Sequence, residues 1–136
     1  MPSVFKNLVI ADDDQDDVQL FQNALDDTYP NLNLTIATDG VKLLHLLQEI
    51  PKADVIVLDL NMPFKSGKEC LQEIRAKDEF NNVPIVILST SSRKADIQDC
   101  LQAGANDFLV KPQSYDDMKS IVTNICNGGF AQKTLR

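Results

Sequence analysis

Hydrophobic positions along the chain follow two alternating patterns. Four short apolar runs recur: Leu8-Val9-Ile10, Val55-Ile56-Val57-Leu58, Ile85-Val86-Ile87-Leu88 and Phe108-Leu109-Val110. They are rich in β-branched residues and unbroken by polar ones, which predicts strands covered on both faces. Leu32, Leu34 and Ile36 alternate instead with Asn33 and Thr35, which predicts a strand with one exposed face at a sheet edge. Helical spacings of three and four fill the intervals: Val18, Phe21 and Leu25; Leu43, Leu47 and Ile50; Leu71 and Ile74; Ile97 and Leu101; Met118, Ile121, Val122 and Ile125. Asp14 and Ser92 read as helix N-caps, Gly104 as one helix end, and Gly128-Gly129 as the last. Five strand–helix units in strict alternation predict an α/β fold, a mostly parallel sheet with helices on both faces. No internal repeat or linker interrupts them. One domain is expected over residues 1–129, with 130–136 a short tail.

Composition narrows the function more than the fold. The chain has 136 residues, enough for one domain with a real core. Its net charge is −7, with 13 basic residues scattered among 20 acidic ones. Nucleic-acid binding needs clustered Lys and Arg, so no nucleic-acid partner is expected. No apolar run approaches the roughly 18 residues of a membrane span, and Met1 to Lys6 lacks a signal-peptide pattern. Cys70, Cys100 and Cys126 are odd in number and widely spaced. They read as reduced, buried thiols of a cytoplasmic protein.

The candidate chemistry lies where the apolar runs end. In an open parallel sheet, ligands bind outside the carboxyl ends of the strands. Asp12, Asp13 and Asp14 follow the first run, Asp59 follows Leu58, Ser89 and Thr90 follow Leu88, and Lys111-Pro112 follows Val110. Carboxylates brought together repel unless a cation neutralises them. Mg²⁺ suits such an oxygen-rich cluster, because it retains waters and needs few protein ligands. A lysine and a hydroxyl would then serve a phosphoryl group, and a carboxylate can be the nucleophile that accepts it. Asp14, Asp16 and Asp17 read more simply as a solvated helix start favoured by the helix dipole. His45, the single histidine, lies in a Leu-rich helical stretch away from the site strands and reads as structural.

Four segments in order carry a family signature: Leu8-Val9-Ile10-Ala11-Asp12-Asp13-Asp14, Val57-Leu58-Asp59-Leu60-Asn61-Met62-Pro63, Pro84-Ile85-Val86-Ile87-Leu88-Ser89, and Gly104-Ala105-Asn106-Asp107-Phe108-Leu109-Val110-Lys111-Pro112. From about Lys6 to Asn127 the chain resembles the receiver domain of bacterial two-component response regulators, including the stand-alone chemotaxis type. The resemblance implies a doubly wound, flavodoxin-like sheet of order 2-1-3-4-5. It implies that Asp59 is the phosphoacceptor, and that Asp13, Asp59 and the Asn61 backbone carbonyl bind Mg²⁺, with Asp12 helping directly or through water. Lys111 would pair with the phosphoryl group, and the Lys111-Pro112 bond would be cis. Ser89 and Phe108 would form the switch, altering the surface of the fourth helix, fifth strand and fifth helix. The implied partners are a sensor histidine kinase or phosphotransfer protein and an effector in trans, with the chain a monomer or homodimer. No turnover of an external substrate is implied.

Thr90 stands where many receivers have alanine, and Phe108 where tyrosine is commoner; both bear on phosphoryl lifetime. A dehalogenase-type phosphatase would need Asp-x-Asp-x-Thr/Val after the first strand, and Asp12-Asp13-Asp14-Gln15-Asp16 lacks it. Flavodoxin-like and Rossmann nucleotide binders would need Gly-rich or Ser/Thr-rich phosphate loops at the same turn, which are absent. A phosphorylation-independent docking module would have no use for the full residue set. A phosphorelay intermediate or phosphate sink is a variant of the same chemistry.

Overall fold

The computed structural model describes residues 5–50 and 52–132. Strands β1 (Asn7–Ala11), β2 (Asn33–Ala37), β3 (Val55–Leu58), β4 (Ile85–Ser89) and β5 (Asp107–Val110) alternate with helices α1 (Gln15–Thr28), α2 (Gly40–Glu49), α3 (Gly67–Arg75), α4 (Lys94–Gln102) and α5 (Tyr115–Cys126). A 3-10 turn, Asp78–Phe80, follows α3. The sheet is wholly parallel, in the order β2-β1-β3-β4-β5. The α/β alternation and the flavodoxin-like order are both as expected.

Alternate residues of the central strands feed two cores. Val9, Ile56, Leu58, Ile85 and Ile87 pack with Leu43, Leu71, Ile74 and Cys100, from α2, α3 and α4. Leu8, Ile10, Val55, Val57, Val86 and Leu88 pack on the other face with Phe21, Leu25, Met118, Val122 and Ile125, from α1 and α5. Burial on both faces is why β1, β3 and β4 read as unbroken apolar runs. Tyr29 Oη donates to Asn127 Oδ1 at 3.1 Å, and Tyr115 Oη donates to an Asp27 carboxylate oxygen, so polar bonds also tie α1 to α5.

Strand β2 lies at a sheet edge, as its alternation predicts, but the exposure of both edge strands differs in detail from expectation. The apolar run of β5 predicts cover on both faces, yet Val110 is 45% exposed. Its sole strand neighbour is β4, so its outer side meets helices only in part. In β2, Leu34 packs against the α1/α5 core but Ile36 is exposed, so the alternation is less clean than its spacing predicts. Asp14 caps α1 by accepting from the Asp16 and Asp17 amides. Ser92 caps nothing. Arg93 occupies the N-cap of α4 without a side-chain cap, and the neighbouring Ser91 hydroxyl bonds Asp96 Oδ2 at 2.6 Å instead. Gly104, at φ 110°, follows α4 in the left-handed geometry that glycine adopts without strain. All three cysteines are buried and outside any disulfide. Among the described residues, no helix is long and apolar enough to cross a membrane.

Candidate functional site

Each site residue is delivered by a strand end. Asp12 follows β1, and its amide donates to Ala37 O of β2 at 3.0 Å. Asp59 follows β3, its amide bonded to Ala11 O at 2.9 Å. Lys111 follows β5, its amide bonded to Ser89 O at 2.7 Å. The ladder thus continues one residue beyond the apolar runs, and backbone bonds anchor the polar residues where the sheet ends.

Carboxylate oxygens of Asp12, Asp13 and Asp59 lie within 4.8 Å of one another. Asp12 and Asp59 are buried and Asp13 is exposed. The Lys111 ammonium, 7% exposed, lies 2.9 Å from Asp12 Oδ2 and 3.2 Å from Asp59 Oδ2. A third contact, 2.8 Å to Asp17 Oδ2, is the shortest. Burial pushes the Asp12 carboxyl up to about 6; Lys111 and the Asp14 amide oppose that rise, and the Asp59 charge adds to it. Burial alone would lower the Lys111 pKa, but bonds to Asp17 and Asp12 outweigh it and the ammonium is held charged.

Three clustered carboxylates exceed the charge of one ammonium, and their donors are all hard oxygens. That set fits a divalent cation such as Mg²⁺ better than a soft metal. Asp13, the exposed member of the set, opens the cluster to solvent.

Neighbouring residues frame the cluster. Ser89 is fully buried, and its hydroxyl accepts from the Ser91 amide at 3.2 Å. Asn61 and Thr90 line a hollow of about 510 Å³ beside the acids, with Lys68, Arg93 and Asp99. Phe108 is half-buried and packs on the α2/α3/α4 core. The structure corrects one expectation: the Lys111-Pro112 bond is trans, because the described residues contain no cis peptide. For X–Pro the two isomers differ by only about 0.5–1 kcal/mol, so residue type alone does not decide between them. His45 is exposed on α2 and takes no part in the site.

Two contributors are not legible in the sequence. The helix-start pattern places Asp17 in solvent, whereas in the fold it grips Lys111. Gly67 opens α3, where an added Cβ would stand 2.1 Å from the Asp59 carbonyl oxygen. Only glycine lets α3 approach the Asp59 backbone so closely. The Ser66-Gly67 pair marks a helix start, but nothing local shows which backbone lies against it.

Known proteins resemble this chain in sequence and fold. The family model of the response regulator receiver domain matches residues 8–123. The chain belongs to that family. It is 29% identical over 126 residues to the response regulator Rcp1 of Synechocystis sp., covering 88% of this chain and 86% of that protein. The Mn²⁺-bound crystal structure of Rcp1 superposes with a TM-score of 0.82 at 28% identity, covering 96% and 99% of the two chains. The phosphorylated cyanobacterial phytochrome response regulator RcpA gives 0.83 at 28% identity, covering 90% and 91%. The receiver domain of the Pseudomonas aeruginosa sensor histidine kinase PA1611, with magnesium in its active-site cleft, gives 0.74 at 25% identity, covering 92% and 99%. This receiver is thus a domain of two-component signalling rather than a turnover enzyme for an external substrate, and its family includes phosphorylated and divalent-metal-bound members.

Proposed function

We propose that this receiver is a Mg²⁺-dependent switch in which Asp59 takes a phosphoryl group from a phosphohistidine of a sensor histidine kinase or phosphotransfer protein. The observation that carries the reading is the Lys111 ammonium held between Asp12 and Asp59 at the edge of the three-carboxylate cluster. Asp12, Asp13, Asp59 and the Asn61 carbonyl would hold the ion. When bound, it neutralises the oxygens of the transferring group. An Asp59 carboxylate oxygen forms the new bond to phosphorus as the bond from phosphorus to the imidazole nitrogen breaks, and the imidazole keeps that electron pair. Lys111, already beside Asp59 at 3.2 Å, supplies positive charge to the transferring group. Hydrolysis of the acyl phosphate later returns the carboxylate.

Signalling follows from the same charge change. The phosphoryl oxygens accept from the Ser89 hydroxyl, whose oxygen already holds the Ser91 amide, so Ser89 draws the β4–α4 loop inward. Phe108 pairs with Ile87 and so lies diagonal to Ser89 across the β4/β5 ladder; it moves toward the vacated space. The α4-β5-α5 surface, where Val110 is already exposed, is thereby altered for an effector in trans.

Incubation with acetyl phosphate and Mg²⁺, followed by intact-protein mass measurement, is expected to add one phosphoryl group to the wild type and none to Asp59→Asn. Equal modification of the two proteins would remove Asp59 from the role. In Lys111→Ala, unchanged phosphorylation together with unchanged effector binding would do the same for the lysine.

A further inference from the structure

Asp17 reaches the site because of how α1 begins. It is the third residue of that helix, a position from which an acidic side chain commonly folds back onto the N-cap amide. Helix α3 does this: Ser66 and Glu69 exchange both bonds of the capping box. In α1 the Asp14 amide already donates to Asp12 Oδ1 at 2.9 Å, so the return position is taken. The Asp17 carboxylate extends instead to β5 and accepts from Lys111 Nζ at 2.8 Å.

The three carboxylates around Lys111 are not equivalent. Asp12 and Asp59 belong to the set whose oxygens are close enough to share an ion, and Asp17 does not. Asp12 and Asp59 are buried, whereas the Asp17 side chain is 33% exposed. A lysine has three N–H donors, and here three carboxylates surround them. An arriving phosphoryl group gains Lys111 only by displacing one of them. Asp17 is the one for which water can replace the lost bond.

We propose that Asp17 is a positioning residue acting through Lys111: it shares the ammonium with Asp12 and Asp59 in the unphosphorylated state, loosening its hold on them, and competes with the phosphoryl group for it afterwards. Asp17 therefore favours ion binding at rest and limits how tightly the phosphorylated state is held. The inference rests on the phosphoacceptor reading of Asp59.

The decisive variant is Asp17→Asn, which keeps the shape and an acceptor oxygen but removes the charge. Two binding constants are measured: Mg²⁺ alone, and beryllofluoride at saturating Mg²⁺. Without the Asp17 charge, Lys111 leans on Asp12 and Asp59, so Mg²⁺ is expected to bind about threefold or more weaker. Beryllofluoride at saturating Mg²⁺, an anion that no longer competes with the Asp17 charge for Lys111, is expected to bind about threefold or more tighter. A merely loosened helix would weaken both. Asp17→Glu, which restores the charge, returns both constants toward wild type. In a Lys111→Ala background, Asp17→Asn shifts Mg²⁺ binding only by the small effect of one screened charge. Shifts of the same sign, no shift, or a full shift persisting without Lys111 would each overturn the assignment. A wild type that binds no beryllofluoride with Mg²⁺ would instead overturn the phosphoacceptor reading beneath it.

Discussion

At the residue scale the site is governed by a contest between burial and partners, and Asp12 shows it most clearly. Its carboxyl is raised from an ordinary 3.8 to about 6 by burial, even with an ammonium at 2.9 Å. Because the folded value lies above the unfolded one, the stability linked to Asp12 is fully present below about pH 4 and is lost as pH rises through 6. Ion binding runs the other way, since a cation needs the ionised oxygen. Mg²⁺ affinity is expected to fall as pH drops below about 6, with proton release on binding near pH 5.5 that disappears at pH 8. Calorimetry in two buffers of different ionisation enthalpy measures this release, and Asp12→Asn should abolish it. Affinity that stays constant from pH 5 to 8 would contradict the raised carboxyl.

At the scale of elements, the site end and the opposite end of the sheet are built separately. Arg75 closes α3, and its guanidinium donates to Gly104 O, Phe80 O, Val83 O and Asn106 Oδ1 at 2.7–2.9 Å. Asn106 Oδ1 also accepts from the Ile85 amide at the start of β4. One planar fork thus ties α3, the 3-10 turn, β4 and the α4–β5 loop at the end remote from Ser89. Arg75→Ala leaves several carbonyls without that donor and is expected to lower unfolding free energy by about 2–4 kcal/mol. Lysine at the same position cannot reproduce the fork and should recover only part of the loss. Urea unfolding gives the magnitude. Mg²⁺ affinity should be unchanged at temperatures where the variant is folded, because no bond of Arg75 reaches the acid cluster; a large drop would show that the two ends are coupled.

At the scale of the whole molecule, the net charge of −7 includes the Asp12, Asp13 and Asp59 cluster, whose mutual repulsion works against folding. Mg²⁺ at a hundredfold excess over its dissociation constant should raise the unfolding free energy by about 2.7 kcal/mol. Asp13→Asn separates the two roles of the cluster. Without Mg²⁺ the variant is expected to be more stable than wild type, since one repelling charge is gone. With Mg²⁺ it should gain less. Melting curves with and without the ion test the crossing, and a variant less stable in both conditions would assign Asp13 a structural role instead.

The α/β class, the central strands β1, β3 and β4, and the strand-end position of Asp12, Asp59, Ser89 and Lys111 were legible in the chain. Burial on both faces writes itself as unbroken apolar runs, and a parallel sheet gathers the residues after each run at one edge. The family signature added the strand order. Other features depended on packing between distant segments. The exposure of Val110 on β5 comes from having one strand neighbour. The trans Lys111-Pro112 bond reflects a preference too small for residue type to settle. Arg93, not Ser92, occupies the N-cap of α4, and the serine that engages the first turn is Ser91, through Asp96. Gly67 and Asp17 share a cause. A close backbone approach and an ion pair 94 residues apart in sequence leave no local periodicity, so only the folded chain brings α3 against Asp59 and turns a helix-start carboxylate toward Lys111.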